Sequence, residues 1–269
     1  FMVQIKGKTI LITGASSGIG EQLAKKCADL GANIIIGARS EEKLNNVKNE
    51  IIQNGGNCVA VKTDITRPAD CKQLVANGIE SFGSLDILIL NAGISMWAPF
   101  NEIQDVQFFK GLMDTNYHGA VNSIHAALPH IQDSHGLIIS VSTGQAIMGF
   151  PNHTGYAASK HALKGFTDSL ECELGDSVQF MDIILGWIRG TNLRSNAFGA
   201  DGTQIRENKK GHNKESISVE ECVDRIIDGI QKNKRTIYLP WKLSLIPLIR
   251  LFFPWYLNRK LRQVTHNQK

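Results

Sequence analysis

The chain has 269 residues, 42% hydrophobic and 20% charged, with a formal net charge of +4, enough for one α/β domain around one sizeable core. Five scattered cysteines (27, 58, 71, 172 and 222) without a Cys-x-x-Cys exclude a disulfide framework, and eight histidines without ligand spacing exclude a metal site. No basic and aromatic residues interleave on a nucleic-acid-binding pattern, which excludes DNA or RNA as a partner.

Apolar runs near 9–13, 33–38, 57–63, 86–90, 137–142, 178–185 and 236–239 alternate with amphipathic helical stretches. That alternation predicts a parallel sheet covered on both faces by helices. The chain opens almost directly on the first strand, so no signal peptide is expected, and reduced thiols fit a cytoplasmic setting.

The first strand runs into Gly14-Ala15-Ser16-Ser17-Gly18-Ile19-Gly20 and then a helical stretch from Glu21. Strand, glycine-rich turn and helix can lay a pyrophosphate on a helix N-terminus. Gly14 permits the tight turn, and Gly18 and Gly20 permit close approach. The spacing is Gly-x-x-x-Gly-x-Gly, not the Gly-x-Gly-x-x-Gly of the usual dinucleotide fingerprint. The second strand ends in Arg39-Ser40, the third in Asp64-Ile65, and the fourth in Asn91-Ala92-Gly93. Asn116 follows in a long helical stretch, and the fifth strand closes on Ser142-Thr143.

Next comes Gly155-Tyr156-Ala157-Ala158-Ser159-Lys160. Four residues apart on a helix, Tyr156 and Lys160 share one face. An ammonium beside a phenol favours the phenolate, so Tyr156 is expected to exchange a proton nearer neutral pH than its free pKa of about 10. Such a pair runs general acid–base chemistry on an alcohol or carbonyl.

These motifs, in this order and at these spacings, resemble the short-chain dehydrogenase/reductase family from about residue 8 to residue 239. The resemblance implies a Rossmann-like, doubly wound, seven-stranded parallel sheet. Residues 1–240 would form a single dinucleotide-binding and catalytic domain, and 241–269 a C-terminal extension. It implies a nicotinamide cofactor held by Gly14, Ser16, Ser17, Gly18, Ile19 and Gly20. Asp64 and Ile65 would meet the adenine, and Asn91, Ala92 and Gly93 would line the cofactor, with Ile188 and Thr191 at the nicotinamide amide. Arg39, with Ser40, stands where an NAD-selective site places an acid, so the expected cofactor is NADP(H), its 2′-phosphate paired with the guanidinium.

By the same resemblance Tyr156 moves the proton, Lys160 lowers the tyrosine's pKa and binds the nicotinamide ribose, and Asn116 holds a water linking Lys160 to solvent. The family's serine stands thirteen residues before the tyrosine, where this chain has Thr143. Thr143 is therefore read as its substitute and Ser142 as a neighbour capping the strand end, with a one-residue difference in the following loop reversing the roles. Relatives often pair through the helices carrying Asn116 and Tyr156, so a homodimer or homotetramer is expected.

The sixth strand ends in Leu185-Gly186-Trp187-Ile188, where most relatives have Pro-Gly. This form, with Ala38-Arg39-Ser40, resembles the branch containing 11-beta-hydroxysteroid dehydrogenase type 1 and its lipid-handling relatives. Residues 192–215 read as a lid over a substrate cleft. Residues 236–269 carry six Lys or Arg and no acid, and Leu243 to Leu257 is densely apolar but broken by two prolines. Too short to span a bilayer, it fits either an element lying on an anionic membrane surface or a helical flap folded over the substrate pocket or a dimer partner. The expected activity is reversible hydride transfer to a carbonyl, or from a secondary alcohol, of a hydrophobic lipid- or steroid-like molecule. A 3-oxoacyl-thioester reductase and a non-catalytic NADP(H)-binding regulator are the other two readings.

Overall fold

A computed structural model describes residues 4–194, 196–205 and 216–266. In chain order the elements are β1 (Thr9–Thr13), α1 (Gly18–Asp29), β2 (Asn33–Ala38), α2 (Glu41–Gln53), β3 (Asn57–Lys62), α3 (Pro68–Phe82) and β4 (Ile87–Leu90). They continue with α4 (Phe108–Met113), α5 (Gly119–Asp133), β5 (Leu137–Thr143), α6 (Thr154–Leu174) and β6 (Gln179–Leu185). Two short strands, β7 (Ile188–Arg189) and β8 (Ile217–Ser218), precede α7 (Val219–Gln231), β9 (Thr236–Leu239), α8 (Ile246–Phe252) and α9 (Pro254–His266).

Seven strands form one parallel sheet in the order β3-β2-β1-β4-β5-β6-β9. The apolar strands follow from burial on both faces, because a parallel sheet between helical layers leaves neither face to water. The pleat then sorts neighbours into two cores. Ile10, Ile12, Ile34, Ile36, Ile87 and Ile89 pack with α1, α2 and α7. Leu11, Ile35, Leu88, Leu90 and Ile138 pack with α3, α5 and α6.

Chain order reverses between β1 and β4, so the loops leaving them diverge to opposite faces and open a crevice at the strands' C-terminal ends. The glycine turn, Asn91–Gly93, Thr143 and the start of α6 all lie at that edge.

Candidate active site

The crevice begins at the glycine turn. Ser17, the N-cap of α1, is extended (φ −169°, ψ 164°) and its side chain makes no cap hydrogen bond. The first backbone N–H groups of α1 therefore have no side-chain acceptor from their cap, which leaves them for an anion. Gly14 has φ +67°, and a Cβ there would lie 2.7 Å from Ala92 Cα. A Cβ on Gly20 would lie 2.4 Å from Asn91 Nδ2. Both glycines are thus required by close approach.

Asn91 fastens the two loops by donating through Nδ2 to the carbonyls of Thr13 (3.1 Å) and Gly14 (3.0 Å). Thr13 Oγ1 accepts from the backbone N–H groups of Asn91 (3.1 Å) and Ala92 (3.2 Å). Thr191 reaches the same place, its Cβ 3.7 Å from where a Gly18 Cβ would stand. Thr191 Oγ1 bonds to the carbonyl of half-buried Ile188 at 3.4 Å.

At the far end of the crevice Arg39 and Ser40 are exposed. Arg39, Lys62, Asp64 and Arg67 line an open hollow of about 670 Å³. Burial works to raise the Asp64 pKa, but hydrogen bonds from Thr66 Oγ1 (2.8 Å) and Thr66 N–H (3.0 Å) prevail, with Arg39 and Arg67 adding to them. The carboxyl is held below its ordinary range. Ile65 does not share the hollow: it is buried and wedged against Gly119 at the start of α5, a separation from Asp64 that the sequence expectation did not make. Lys62 and Arg67 were not singled out in the sequence, although both flank Asp64 within a few residues.

Tyr156 and Lys160 lie in the first two turns of α6, both buried. Lys160 Nζ donates to the carbonyl of Val141 on β5 at 3.3 Å. It lies 3.7 Å from where a Gly93 Cβ would stand, and Asn116 Oδ1 is 3.2 Å from that point. Asn116 sits in a π-helical turn, Asp114–His118, between α4 and α5. Its Nδ2 donates to Ile94 O and Ser159 Oγ, both at 2.9 Å, and its Oδ1 accepts from Ile94 N–H at 2.8 Å. Both amide donors are thereby engaged, leaving one Oδ1 lone pair for the expected water. Ser159, between Tyr156 and Lys160 in the same motif, closes this link by donating to Tyr156 O at 2.8 Å.

Two expectations change here. The phenol of Tyr156 is held above its ordinary range by burial, opposite to the depression expected from Lys160. Burial also lowers the Lys160 ammonium to about 8. Charge is costly for both groups in this low-dielectric position, and the lysine is aimed at Val141 O instead of the phenol. The cap at the end of β5 is also Thr143, not Ser142: Thr143 Oγ1 accepts from Gln145 N–H at 3.4 Å. That bond leaves the Thr143 hydroxyl proton and a lone pair for a substrate. Ser142 is buried on the opposite side of the pleat.

The packing around the tyrosine is apolar and aromatic. Met96, Ala98, Leu112 and Tyr156 form a buried cluster against Phe108, Phe109 and Phe198. Part of the expected lid, residues 196–205, is pinned over it: Trp97 N–H donates to Phe198 O and Phe198 N–H to Ser95 O, both at 2.9 Å. Residues 195 and 206–215 of that lid lie outside the described residues. Sequence reasoning also missed Trp97 and His153, which no motif marks. Their rings meet at 4.8 Å between centroids.

The C-terminal segment folds back on this edge. Leu243 Cδ2 lies 3.4 Å from where a Gly144 Cβ would stand, and Leu243 also packs at Gly186. Ile246 is buried, and Arg250 Nη1 donates to Ile147 O at 2.7 Å. The other side shows Trp241, Leu251, Phe252 and Trp255 to solvent, each about two-thirds exposed (67%, 71%, 65% and 65%). Among the described residues no helix is long and apolar enough to cross a membrane.

Comparison with known proteins agrees with this geometry. Residues 8–201 match the sequence model of the short chain dehydrogenase family. "11-beta-hydroxysteroid dehydrogenase 1A" of Arabidopsis thaliana is 35% identical over 247 residues, covering 89% of this chain and 70% of that protein. "Dehydrogenase/reductase SDR family protein 7-like" of Dictyostelium discoideum is 35% identical over 255 residues, covering 93% and 79%. Among solved structures, a short chain dehydrogenase from Burkholderia cenocepacia in complex with NADP superposes with a TM-score of 0.79 at 24% identity, covering 96% of this chain and 99% of that one. A Burkholderia phymatum short chain dehydrogenase/reductase in complex with NAD gives 0.78 at 21%, covering 95% and 97%. With the family matched along most of its length and the fold shared with solved members, the chain belongs to the short-chain dehydrogenase/reductase family of oxidoreductases.

Proposed function

We propose that the protein is an NADP(H)-dependent oxidoreductase acting on an apolar ketone or the corresponding secondary alcohol, and that it works at a membrane surface. One observation carries the catalytic part. The buried Tyr156–Lys160 pair meets the Asn91–Gly93 loop at the sheet's switch point, with Lys160 Nζ beside Gly93.

The residues fit a phosphorylated dinucleotide. The uncapped N-terminus of α1 suits a pyrophosphate. The hollow at β2 and β3 gathers Arg39, Lys62 and Arg67 beside Asp64 and Asp70, three cations to two carboxylates, and the exposed guanidinium of Arg39 favours a 2′-phosphate. The solved neighbours include one in complex with NADP and one in complex with NAD, so the choice rests on the side chains of the hollow. When bound, the cofactor supplies or accepts the hydride.

The protein's own groups handle the proton. Tyr156, protonated at neutral pH because burial disfavours the phenolate, gives its proton to the carbonyl oxygen as negative charge develops there. Lys160, with a pKa of about 8, is charged at neutral pH and steadies the phenolate left behind. Thr143 donates its hydroxyl proton in a hydrogen bond to the same carbonyl oxygen and so fixes its direction. Alcohol oxidation runs these steps in reverse.

An apolar substrate is supported by the cluster around Tyr156 and by relatives named as hydroxysteroid dehydrogenases. Membrane contact is supported by the exposed rings of the C-terminal segment and the basic residues Lys242, Arg250, Arg259, Lys260 and Arg262 around them. Pairing of copies through α5 and α6 belongs to the same proposal, and sedimentation would measure it.

The experiment is NADPH oxidation against a panel running from short aldehydes through 3-oxoacyl thioesters to steroids and long-chain ketones. Turnover should concentrate on the long apolar ketones. Tyr156→Phe should abolish it while leaving NADPH affinity intact, and a Phe variant with full activity would refute the mechanism.

A further inference from the structure

Four separate chain segments bring aromatic and basic side chains together around His153, whose ring neighbours Tyr156. Trp97 comes from the loop after β4, His153 from the start of α6, Trp187 from the loop after β6, and Arg194 from the segment that precedes Phe198. The Arg194 guanidinium carbon lies 4.8 Å from the Trp97 ring centroid and 5.2 Å from that of Trp187. The two indoles are themselves 5.8 Å apart and tilted by 44°. These three distances make a nearly equilateral triangle, so the guanidinium rests against both rings from one side and is not sandwiched between them. Stacking engages the face of a guanidinium and leaves its in-plane N–H donors for other partners. Among the described residues no ion pair is formed by Arg194, although it is only half-exposed.

His153 joins this arrangement to the reacting centre. Its ring is 4.8 Å from Trp97, 6.3 Å from Trp187 and 6.3 Å from Tyr156. Its Nδ1 lies 2.8 Å from the carbonyl of Pro151, which can only accept, so Nδ1 carries the proton. Burial lowers its pKa to about 4, against the bond to Pro151, with Arg194 adding to the depression. The imidazole is therefore neutral at physiological pH, and among the described residues the guanidinium is the positive charge in this aromatic wall.

We infer that Arg194, steadied by Trp97 and Trp187, is a specificity-determining residue that docks a carboxylate carried by the apolar substrate, with the His153 ring between it and the carbonyl that Tyr156 protonates. One guanidinium beside a neutral imidazole matches one negative charge, which favours a carboxylate over a doubly charged phosphate ester. The planar fork of arginine matches the two carboxylate oxygens. The flanking indoles strip water from that contact and so strengthen it. The substrate class becomes an oxo acid, apolar along its length and ionised at one end. This deepens the oxidoreductase reading given above and rests on it.

The test compares a medium-chain oxo acid with its methyl ester as substrates for the full chain with NADPH, in the wild type and in Arg194→Met and Arg194→Lys. Arg194→Met should lower kcat/KM for the acid roughly 10- to 100-fold, chiefly through KM, and leave the ester unchanged. Arg194→Lys, which keeps the charge without the fork, should fall between. Equal losses on acid and ester, or a wild type that does not prefer the acid, would overturn the assignment. A second arm needs no turnover: decanoate and its methyl ester are titrated against the same proteins by tryptophan fluorescence. Decanoate affinity that Arg194→Met leaves unchanged overturns the docking role even if no ketone is reduced, whereas absence of turnover on every carbonyl tells against the oxidoreductase reading alone.

Discussion

Asn116 Nδ2 donates to Ser159 Oγ at 2.9 Å, and through that hydroxyl the π-turn ahead of α5 is tied to the carbonyl of Tyr156. Ser159→Ala would leave a buried amide donor unpaired, a cost of about 1–3 kcal/mol, and would loosen the first turn of α6. The expected result is a lower melting temperature and a kcat reduced roughly tenfold, since small misplacements of a proton donor are expensive. Ser159→Thr, which keeps the hydroxyl, should recover much of both. A Ser159→Ala enzyme with unchanged kcat would reduce the serine to packing.

Lys160 titrates at about 8 in the fold, against an ordinary value of 10.5. Between those values the unfolded chain holds the proton more tightly, so stability should rise with pH across that window and be lower beneath it. Lys160→Met should therefore be more stable than the wild type at pH 7, by roughly 1–3 kcal/mol, and catalytically dead. Reduction by the wild type should fall as pH passes about 8 and the ammonium is lost. Denaturant melts of both proteins across pH 6–10 would decide; a Lys160→Met variant less stable than wild type at pH 7 contradicts the prediction.

Arg39, Lys62 and Arg67 surround one hollow. Arg39→Asp should cut the ratio of kcat/KM for NADPH over NADH by roughly 10- to 100-fold, by removing a charge-assisted contact and adding repulsion. Arg67→Gln should produce a smaller change in the same direction. A ratio that stays constant through both substitutions removes the 2′-phosphate assignment.

Thr143 and Ser142 face opposite sides of the pleat, and Thr143 caps the following turn. Thr143→Ala should depress kcat about 100-fold, and Thr143→Ser should restore most of it. Ser142→Ala should mainly lower the melting temperature. The reverse order in kcat would assign the carbonyl contact to Ser142.

On the C-terminal segment the inner contacts of Leu243 and Arg250 are separable from the outer rings. Leu251→Glu combined with Trp255→Glu changes the exposed side alone. The double variant should keep NADPH oxidation and lose flotation with anionic liposomes. Undiminished flotation would argue that the rings serve another contact.

The sheet was legible because each central strand is an unbroken apolar run, and only a parallel sheet buried on both faces calls for so many. The glycine turn, Asn91–Gly93, Asn116 and the Tyr156–Lys160 pair were legible because each is a local spacing. Burial is not local. Helical spacing puts Lys160 beside Tyr156 but says nothing of the Val141 carbonyl that the ammonium faces, so the direction of the tyrosine's pKa was misjudged. The same holds for Ile65, which reads as a partner of Asp64 yet turns under Gly119. Arg194 was beyond reach for a different reason: it acquires meaning only against Trp97 and Trp187, which are far apart in sequence and meet only in the fold. Lys62 and Arg67 could have been found by asking what a phosphate at Arg39 would also touch.

Leu243 sits on Gly144, the residue after Thr143, while Trp241 two positions earlier points into solvent. A partner on the outer rings would be felt at the floor of the catalytic loop only through a shift of Leu243. Thermodynamic reciprocity makes any such coupling equal in free energy in both directions. Any factor by which an outer partner changed the affinity of the cleft would be the factor by which filling the cleft changed the hold on that partner.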